Sequence, residues 1–129
     1  MEFPKDLKYS ENDEWIKVEG NAASIGISDY AQDALSDIVY LEYTVSVGDK
    51  VAKGDILGTV ESVKAASDVY FPISGTILEV NEDLLDEPEL VNSDPYGVAW
   101  YIKIELSSLE ELDSLMDAEK YEAYVQERL

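Results

Sequence analysis

The sequence contains neither cysteine nor histidine. Without cysteine the fold has no disulfide, and the protein has no thiol of its own for nucleophilic or redox chemistry. Without histidine it lacks the commonest general base and metal ligand, so we expect no metal site. An enzyme made from this sequence would depend largely on carboxylates, which leaves a narrow catalytic repertoire.

Basic residues are scarce: nine Lys and Arg stand against 29 Asp and Glu, giving a net charge of −20. A surface this negative repels phosphate backbones, so we expect no nucleic-acid partner. The same charge would steer the protein toward basic patches on other proteins. Charge alone leaves open the simpler interpretation, in which the acids only keep a small protein soluble.

Long hydrophobic runs are also missing. Residues 1–6 contain no apolar core of a signal peptide, and no stretch reaches the length of a membrane span. We therefore expect a cytoplasmic protein without a membrane partner. At 129 residues with 46% hydrophobic residues, the chain fits one globular domain over residues 1–129.

Short β-like runs separated by glycine turns fill most of the chain. Gly20-Asn21 between two such runs predicts a tight hairpin, and the acidic, proline-containing stretch 81–97 predicts a loop. Several short strands at close spacing favour a mainly β fold, a sandwich or small barrel of antiparallel strands. The predicted strands are 15–19, 22–27, 38–43, 56–61, 68–72, 76–80 and 99–104.

Two helices are predicted outside the strands. Ser28 is placed to cap a short helix near 28–36, which has an apolar face. Ser107 and Ser108 precede acids at capping-box spacing, and an apolar stripe follows, predicting a C-terminal helix at about 108–127. We expect that helix to pack on the β domain, although such a stripe also serves partner-binding helices.

Lys64 lies between two predicted strands and is the only basic residue between Lys53 and Lys103. A lysine at a hairpin tip is open to a modifying enzyme, and an amide formed there would carry a cofactor on a long flexible stem. A rigid scaffold with a mobile arm suits a carrier. An ordinary surface lysine at a turn is the alternative for a lone lysine.

The residues around Lys64 resemble those around the modified lysine of known carrier domains. The stretch 48–61 resembles the strand that leads to the modified lysine in biotinyl and lipoyl domains. Biotin carriers usually have methionine on both sides of the lysine, where this chain has Val63 and Ala65. Lipoyl domains of 2-oxoacid dehydrogenases usually have aspartate before the lysine, and this chain does not. The stretch Val60–Ala65 is most similar to the lipoylation motif of the glycine cleavage system H protein family.

The resemblance extends over nearly the whole chain and includes the leucine-rich C-terminal helix. The chain differs from the family pattern at one position: that family commonly has histidine before the Glu14-Trp15 pair, and this chain has Asp13. The other similar stretches are Leu7-Lys8-Tyr9, Gly26-Ile27, Ala31-Gln32, Pro72-Ile73-Ser74-Gly75, Leu90-Val91-Asn92-Ser93, Pro95-Tyr96 and Trp100.

The resemblance implies a lipoyl-domain-like barrel-sandwich that carries lipoic acid on Lys64 and has no catalytic residues. The lipoyl group would accept an aminomethyl group from glycine decarboxylase, the P protein. It would pass the one-carbon unit to a folate-dependent aminomethyltransferase, the T protein. Dihydrolipoamide dehydrogenase, the L protein, would reoxidise the dithiol, and a lipoyl ligase or transferase would attach the cofactor. The missing cysteine and histidine agree with this role in glycine catabolism and one-carbon metabolism.

Glu14 and Asp68 are the candidates to shelter the intermediate, because two carboxylates would hold the cationic amine of a loaded arm. In so acidic a chain, both are equally well explained as solvated surface carboxylates.

Three other functions remain open. The first is a lipoyl carrier or relay protein that does not serve glycine cleavage. The second is a carboxylate-based hydrolase, which would need a convergent acid pair in a pocket with one raised pKa. The third is an interaction module whose Lys64 stays unmodified.

Overall fold

The computed structural model describes residues 1–129, which form two antiparallel sheets with short helices at their edges. Nine strands and four α-helices occur, together with a 3-10 helix over Leu109–Ser114. The strands are β1 (Lys8–Tyr9), β2 (Glu14–Glu19), β3 (Ala22–Ile27), β4 (Ile38–Tyr43), β5 (Lys50–Val51), β6 (Ile56–Ser62), β7 (Ala66–Tyr70), β8 (Gly75–Val80) and β9 (Ile102–Leu106). The α-helices are α1 (Asp29–Leu35), α2 (Asp83–Asp86), α3 (Leu90–Ser93) and α4 (Ala118–Gln126).

The larger sheet has the order β1-β2-β3-β9-β8-β5, and the smaller has the order β4-β6-β7. Alternating apolar side chains from both sheets meet in one buried core, to which Ile25, Ile77 and Ile104 contribute from the larger sheet and Leu41 and Val60 from the smaller. The prediction of a mainly β sandwich of short antiparallel strands is confirmed.

The predicted hairpin at Gly20-Asn21 joins β2 to β3, and Gly20 takes the positive φ of 64° that glycine adopts without strain. The helix predicted near 28–36 is α1. Its N-cap is Ser28, whose hydroxyl accepts a hydrogen bond from the Ala31 N–H.

The acidic stretch 81–97 is more ordered than a loop, because it contains α2 and α3. Asn81 anchors its two ends, since its side-chain amide donates to the carbonyls of Val98 and Trp100. Asn92 ties α3 to α1 by donating to the Ser36 carbonyl. The last strand consequently begins at Ile102 rather than at residue 99.

The C-terminal segment predicted as one helix at 108–127 is two helices. Between them Met116 pairs with Tyr9 of β1 through two backbone hydrogen bonds of 2.8 Å each, which requires extended backbone. α4 then starts from its N-cap Asp117 and buries Tyr121 and Val125 in a second apolar cluster with Tyr9 and Trp15. No helix in the structure is both long and apolar enough to cross a membrane.

Candidate functional site

Lys64 lies at the tip of the hairpin formed by β6 and β7, where Glu61 pairs with Ala66. The hydroxyl of Ser62 closes the tip by accepting hydrogen bonds from the N–H groups of Lys64 and Ala65, at 3.1 and 3.0 Å. The Ser62 N–H donates to the Ala65 carbonyl at 2.8 Å. The backbone at Lys64 is therefore held by local hydrogen bonds while its side chain is exposed.

The side chain of Lys64 has one neighbour that the sequence did not predict. Its Nζ donates to the carbonyl oxygen of Ala34 at 3.4 Å, close to the C-terminal end of α1. A cation is favoured there because the last carbonyls of a helix lack internal partners. The lysine thus extends from the hairpin tip toward α1 rather than straight into solvent.

A cleft of about 200 Å³ lies beside α1. Ala31, Ala34 and Leu35 of α1 form an apolar part of its wall, and strands β6 and β7 contribute Val60 and Val69. Because Ala34 both lines the cleft and accepts the hydrogen bond from Lys64 Nζ, the lysine ends at the rim of this cleft.

The cleft brings together the two carboxylates that the sequence analysis singled out, since Glu14 and Asp68 both line it. They sit in different environments. Glu14 is 2% exposed, whereas Asp68 is exposed on β7 and its Oδ1 accepts a hydrogen bond from the hydroxyl of Thr59 at 3.3 Å. The burial of Glu14 is incompatible with the alternative interpretation of this residue as a solvated surface carboxylate, whereas Asp68 remains open to it.

Burial raises the pKa of Glu14 from 4.5 to about 7. The hydroxyl of Ser10, which donates to Glu14 Oε1 at 2.6 Å, and a hydrogen bond from the Tyr70 backbone act in the opposite direction. The charge of Asp13 raises this pKa further. Glu14 can therefore change its charge close to neutral pH.

Sequence reasoning missed Ser10 and the part played by α1 in the cleft. Ser10 stands four residues before Glu14, and only the closed turn between β1 and β2 brings its hydroxyl to the carboxylate. The apolar face of α1 was visible in the sequence, but its spacing indicates burial without saying which surface covers it.

Comparison with known proteins finds relatives over nearly the whole chain. The Glycine cleavage H-protein family matches residues 7–128. A glycine cleavage system H protein of Carboxydothermus hydrogenoformans is 56% identical over 96% of this chain and 95% of its own. One from Brevibacillus brevis is 55% identical over 98% of this chain and 100% of its own.

Solved structures give the same result. The crystal structure of a glycine cleavage system H protein from Mycobacterium marinum superimposes with a TM-score of 0.85 at 33% identity, covering 98% of this chain and 99% of that one. Fold, extent of match and sequence identity agree, and the chain belongs to the glycine cleavage H-protein family.

Proposed function

We propose that this chain, as one domain over residues 1–129, is the lipoyl-bearing carrier of the glycine cleavage system, with lipoic acid joined to Lys64 by an amide. One observation carries the proposal: the exposed Lys64 ends at the rim of a cleft that contains a buried and an exposed carboxylate. Family membership gives this arrangement its biochemical setting.

The residues present fit the cofactor. Lys64 offers an accessible amine on a tip whose backbone is already hydrogen-bonded, so acylation disturbs no packed side chain. The apolar wall formed by α1 and β6 suits a hydrocarbon chain. When bound, lipoic acid supplies the disulfide and dithiol sulfur chemistry that a chain without cysteine lacks.

The cleft residues shelter the carried aminomethyl group from water. Asp68 offers an exposed carboxylate at the entrance, and Glu14 offers a buried one deeper in the fold. A cationic amine beside Glu14 favours its ionised form, so the hydrogen bond between them becomes charge-assisted when the cation arrives. Ser10 fixes one oxygen of this carboxylate through its 2.6 Å hydrogen bond.

Partners supply the catalysis. The loaded and unloaded carrier meets the P protein, the T protein and the L protein in turn, and a lipoyl ligase or transferase modifies Lys64. The net charge of −20 favours rapid, salt-sensitive encounters with basic surfaces on these proteins. The chain itself acts as a non-catalytic carrier in the cytoplasm.

A carboxylate hydrolase is the one alternative for which a specific observation speaks, because Glu14 and Asp68 share a cleft and the pKa of Glu14 is raised. Similarity to H proteins over at least 95% of both chains favours the carrier instead. The relay function has no such observation in its favour.

Two substitutions test the sheltering role. Lipoylated Glu14→Ala and Asp68→Ala are loaded by glycine decarboxylase, and the loss of the aminomethyl group is followed by intact-protein mass spectrometry. Both should load and then lose the group faster than the parent. Glu42→Ala is the matched control, since Glu42 is an exposed carboxylate on β4 that does not line the cleft. Equal lifetimes in all four proteins would refute the sheltering role.

A further inference from the structure

Asp13, the residue before Glu14, holds an unusual backbone conformation. Its φ is 69°, in the left-handed region that residues other than glycine seldom occupy. Two backbone hydrogen bonds hold the corner, one from the Asp13 N–H to the Ser10 carbonyl at 3.1 Å and one from the Ser28 N–H to the Asp13 carbonyl at 2.8 Å. The corner sets where Glu14 enters β2, so whatever fixes Asp13 also positions Glu14.

The side chain of Asp13 is fixed by Arg128, the penultimate residue. The guanidinium donates to both carboxylate oxygens, at 2.5 Å to Oδ1 and 3.1 Å to Oδ2. It also lies over the rings of Tyr30 and Tyr124, at 4.6 and 4.1 Å from their centroids. A bidentate arginine between two aromatic rings is a more specific contact than a single surface ion pair.

A second chain of hydrogen bonds reaches Asp13 from α1. The Tyr121 hydroxyl donates to Asp13 Oδ1 at 2.8 Å and lies 2.6 Å from the hydroxyl of Ser28, the N-cap of α1. Tyr121 itself is stacked on Tyr9 at a centroid distance of 4.4 Å. Asp13 therefore joins α4 and the C-terminal end to both the Glu14 corner and the helix that forms the cleft wall.

We propose that Arg128 is a positioning residue for the Glu14 carboxyl: by pairing with Asp13 it holds the corner that carries Glu14 and offsets part of the negative charge beside it. In the unlipoylated chain, the Asp13–Arg128 pair thereby sets the protonation equilibrium of Glu14. Its consequence for the carried amine rests on the proposed function.

The other charged groups around Glu14 are few. Asp68 faces it across the cleft from β7, while α1, β3 and β6 contribute only apolar side chains to that wall. On its other side, Glu14 borders a second cleft of about 180 Å³, where the charged residues are Glu11 and Lys53. Asp13 differs from these groups, because an arginine binds both of its carboxylate oxygens.

The test measures the pKa of Glu14 in the unlipoylated chain, from the pH dependence of its side-chain carboxyl carbon signal in NMR, assigned with Glu14→Gln. Arg128→Gln should raise that pKa, because the Asp13 carboxylate would then act on Glu14 as a partly screened like charge. The ionised fraction of Glu14 at pH 7 should fall roughly twofold. Arg128→Lys keeps the charge and should recover most of the parent value. Asp13→Asn combined with Arg128→Gln should bring the pKa back to the parent value or below it.

Lys120→Gln is the charge-matched control, because Lys120 is an exposed cation of α4 that makes no contact with Asp13. An equal shift in Lys120→Gln and Arg128→Gln would overturn the proposal, since only the general field of the protein would then matter. An unchanged pKa in Arg128→Gln would overturn it as well.

The lifetime of the carried amine separates this inference from the proposed function. If Arg128→Gln raises the pKa of Glu14 and also shortens the lifetime at pH 7, both stand. A raised pKa with an unchanged lifetime supports the positioning role of Arg128 and refutes the sheltering role of Glu14.

Discussion

Replacing Glu14 with glutamine should remove a large part of the pH dependence of folding. The pKa of this carboxyl rises from 4.5 in the unfolded chain to about 7 in the fold because the group is buried. A raised pKa means that the folded protein holds the proton more tightly. The contribution of Glu14 to the free energy of unfolding is therefore fully present below about pH 4.5 and is lost as the pH rises to about 7.

The size of the effect follows from the shift. Each pKa unit corresponds to about 1.4 kcal/mol, so ionisation of Glu14 costs the folded state about 3 kcal/mol in total, of which about 2.5 kcal/mol falls between pH 5 and pH 8. Glutamine resembles the protonated acid, and its amide oxygen can still accept from Ser10. Glu14→Gln should therefore match the parent at low pH and exceed it at pH 8 by about 3 kcal/mol, or roughly 10 °C in Tm.

Urea unfolding of both proteins at pH 5 and pH 8 measures the difference, and the other acids cancel because the two chains share them. If the free energies of unfolding of parent and variant change in parallel with pH, the Glu14 carboxyl has an ordinary pKa in the fold and the reasoning is refuted. A larger fall in the free energy of unfolding of the parent between pH 5 and pH 8 means that ionised Glu14 destabilises the fold. A cation bound at Glu14 would offset this destabilisation.

Three further predictions concern the scaffold. Lys64→Ala should change the free energy of unfolding by less than about 0.5 kcal/mol in chemical denaturation, because the side chain is exposed and the tip is held by hydrogen bonds from its backbone N–H groups to the Ser62 hydroxyl; a larger loss would mean that the lysine is structural. Tyr101→Phe should stabilise the fold by about 1 kcal/mol in the same assay, since the buried Tyr101 hydroxyl has no hydrogen-bond partner; a destabilised variant would indicate a partner such as a buried water. Gly26→Ala should lower stability by about 2 kcal/mol or more, because a Cβ there would lie 2.6 Å from the Trp15 ring, whose Nε1 is fixed by a 2.8 Å bond to the Pro95 carbonyl; an unchanged Tm would show that the indole moves freely.

Local patterns predicted much of the fold. The Gly20-Asn21 turn, the strands on either side of it and the Ser28 cap depend on residues close together in the chain, and their sequence signals are strong. The lysine at a hairpin tip was predictable for the same reason. The helices within 81–97 were missed because side chains distant in sequence organise that stretch, Asn81 against Trp100 and Asn92 against Ser36.

The candidate site was only partly predictable. The sequence analysis paired Glu14 with Asp68 as candidates to hold a cationic amine, and both line one cleft. Their different burial was not visible in the sequence, since it depends on how two sheets and α1 close around them. The pairing of Asp13 with Arg128 joins residues 115 positions apart, which no local pattern indicates. The break at Met116 likewise follows from pairing with Tyr9, a contact across the whole chain.

We propose that the chain carries an aminomethyl group on a lipoyl arm at Lys64. Intact-protein mass spectrometry tests it most directly, on parent and Lys64→Arg treated with lipoate and a lipoyl ligase and then with glycine, pyridoxal phosphate and glycine decarboxylase. We predict that the parent gains one lipoyl group and then one aminomethyl group, with peptide mapping placing both at Lys64, and that Lys64→Arg gains neither. Modification of Lys64→Arg, lipoylation mapped to Lys50 or Lys53, or a lipoylated parent that accepts no aminomethyl group would contradict the account.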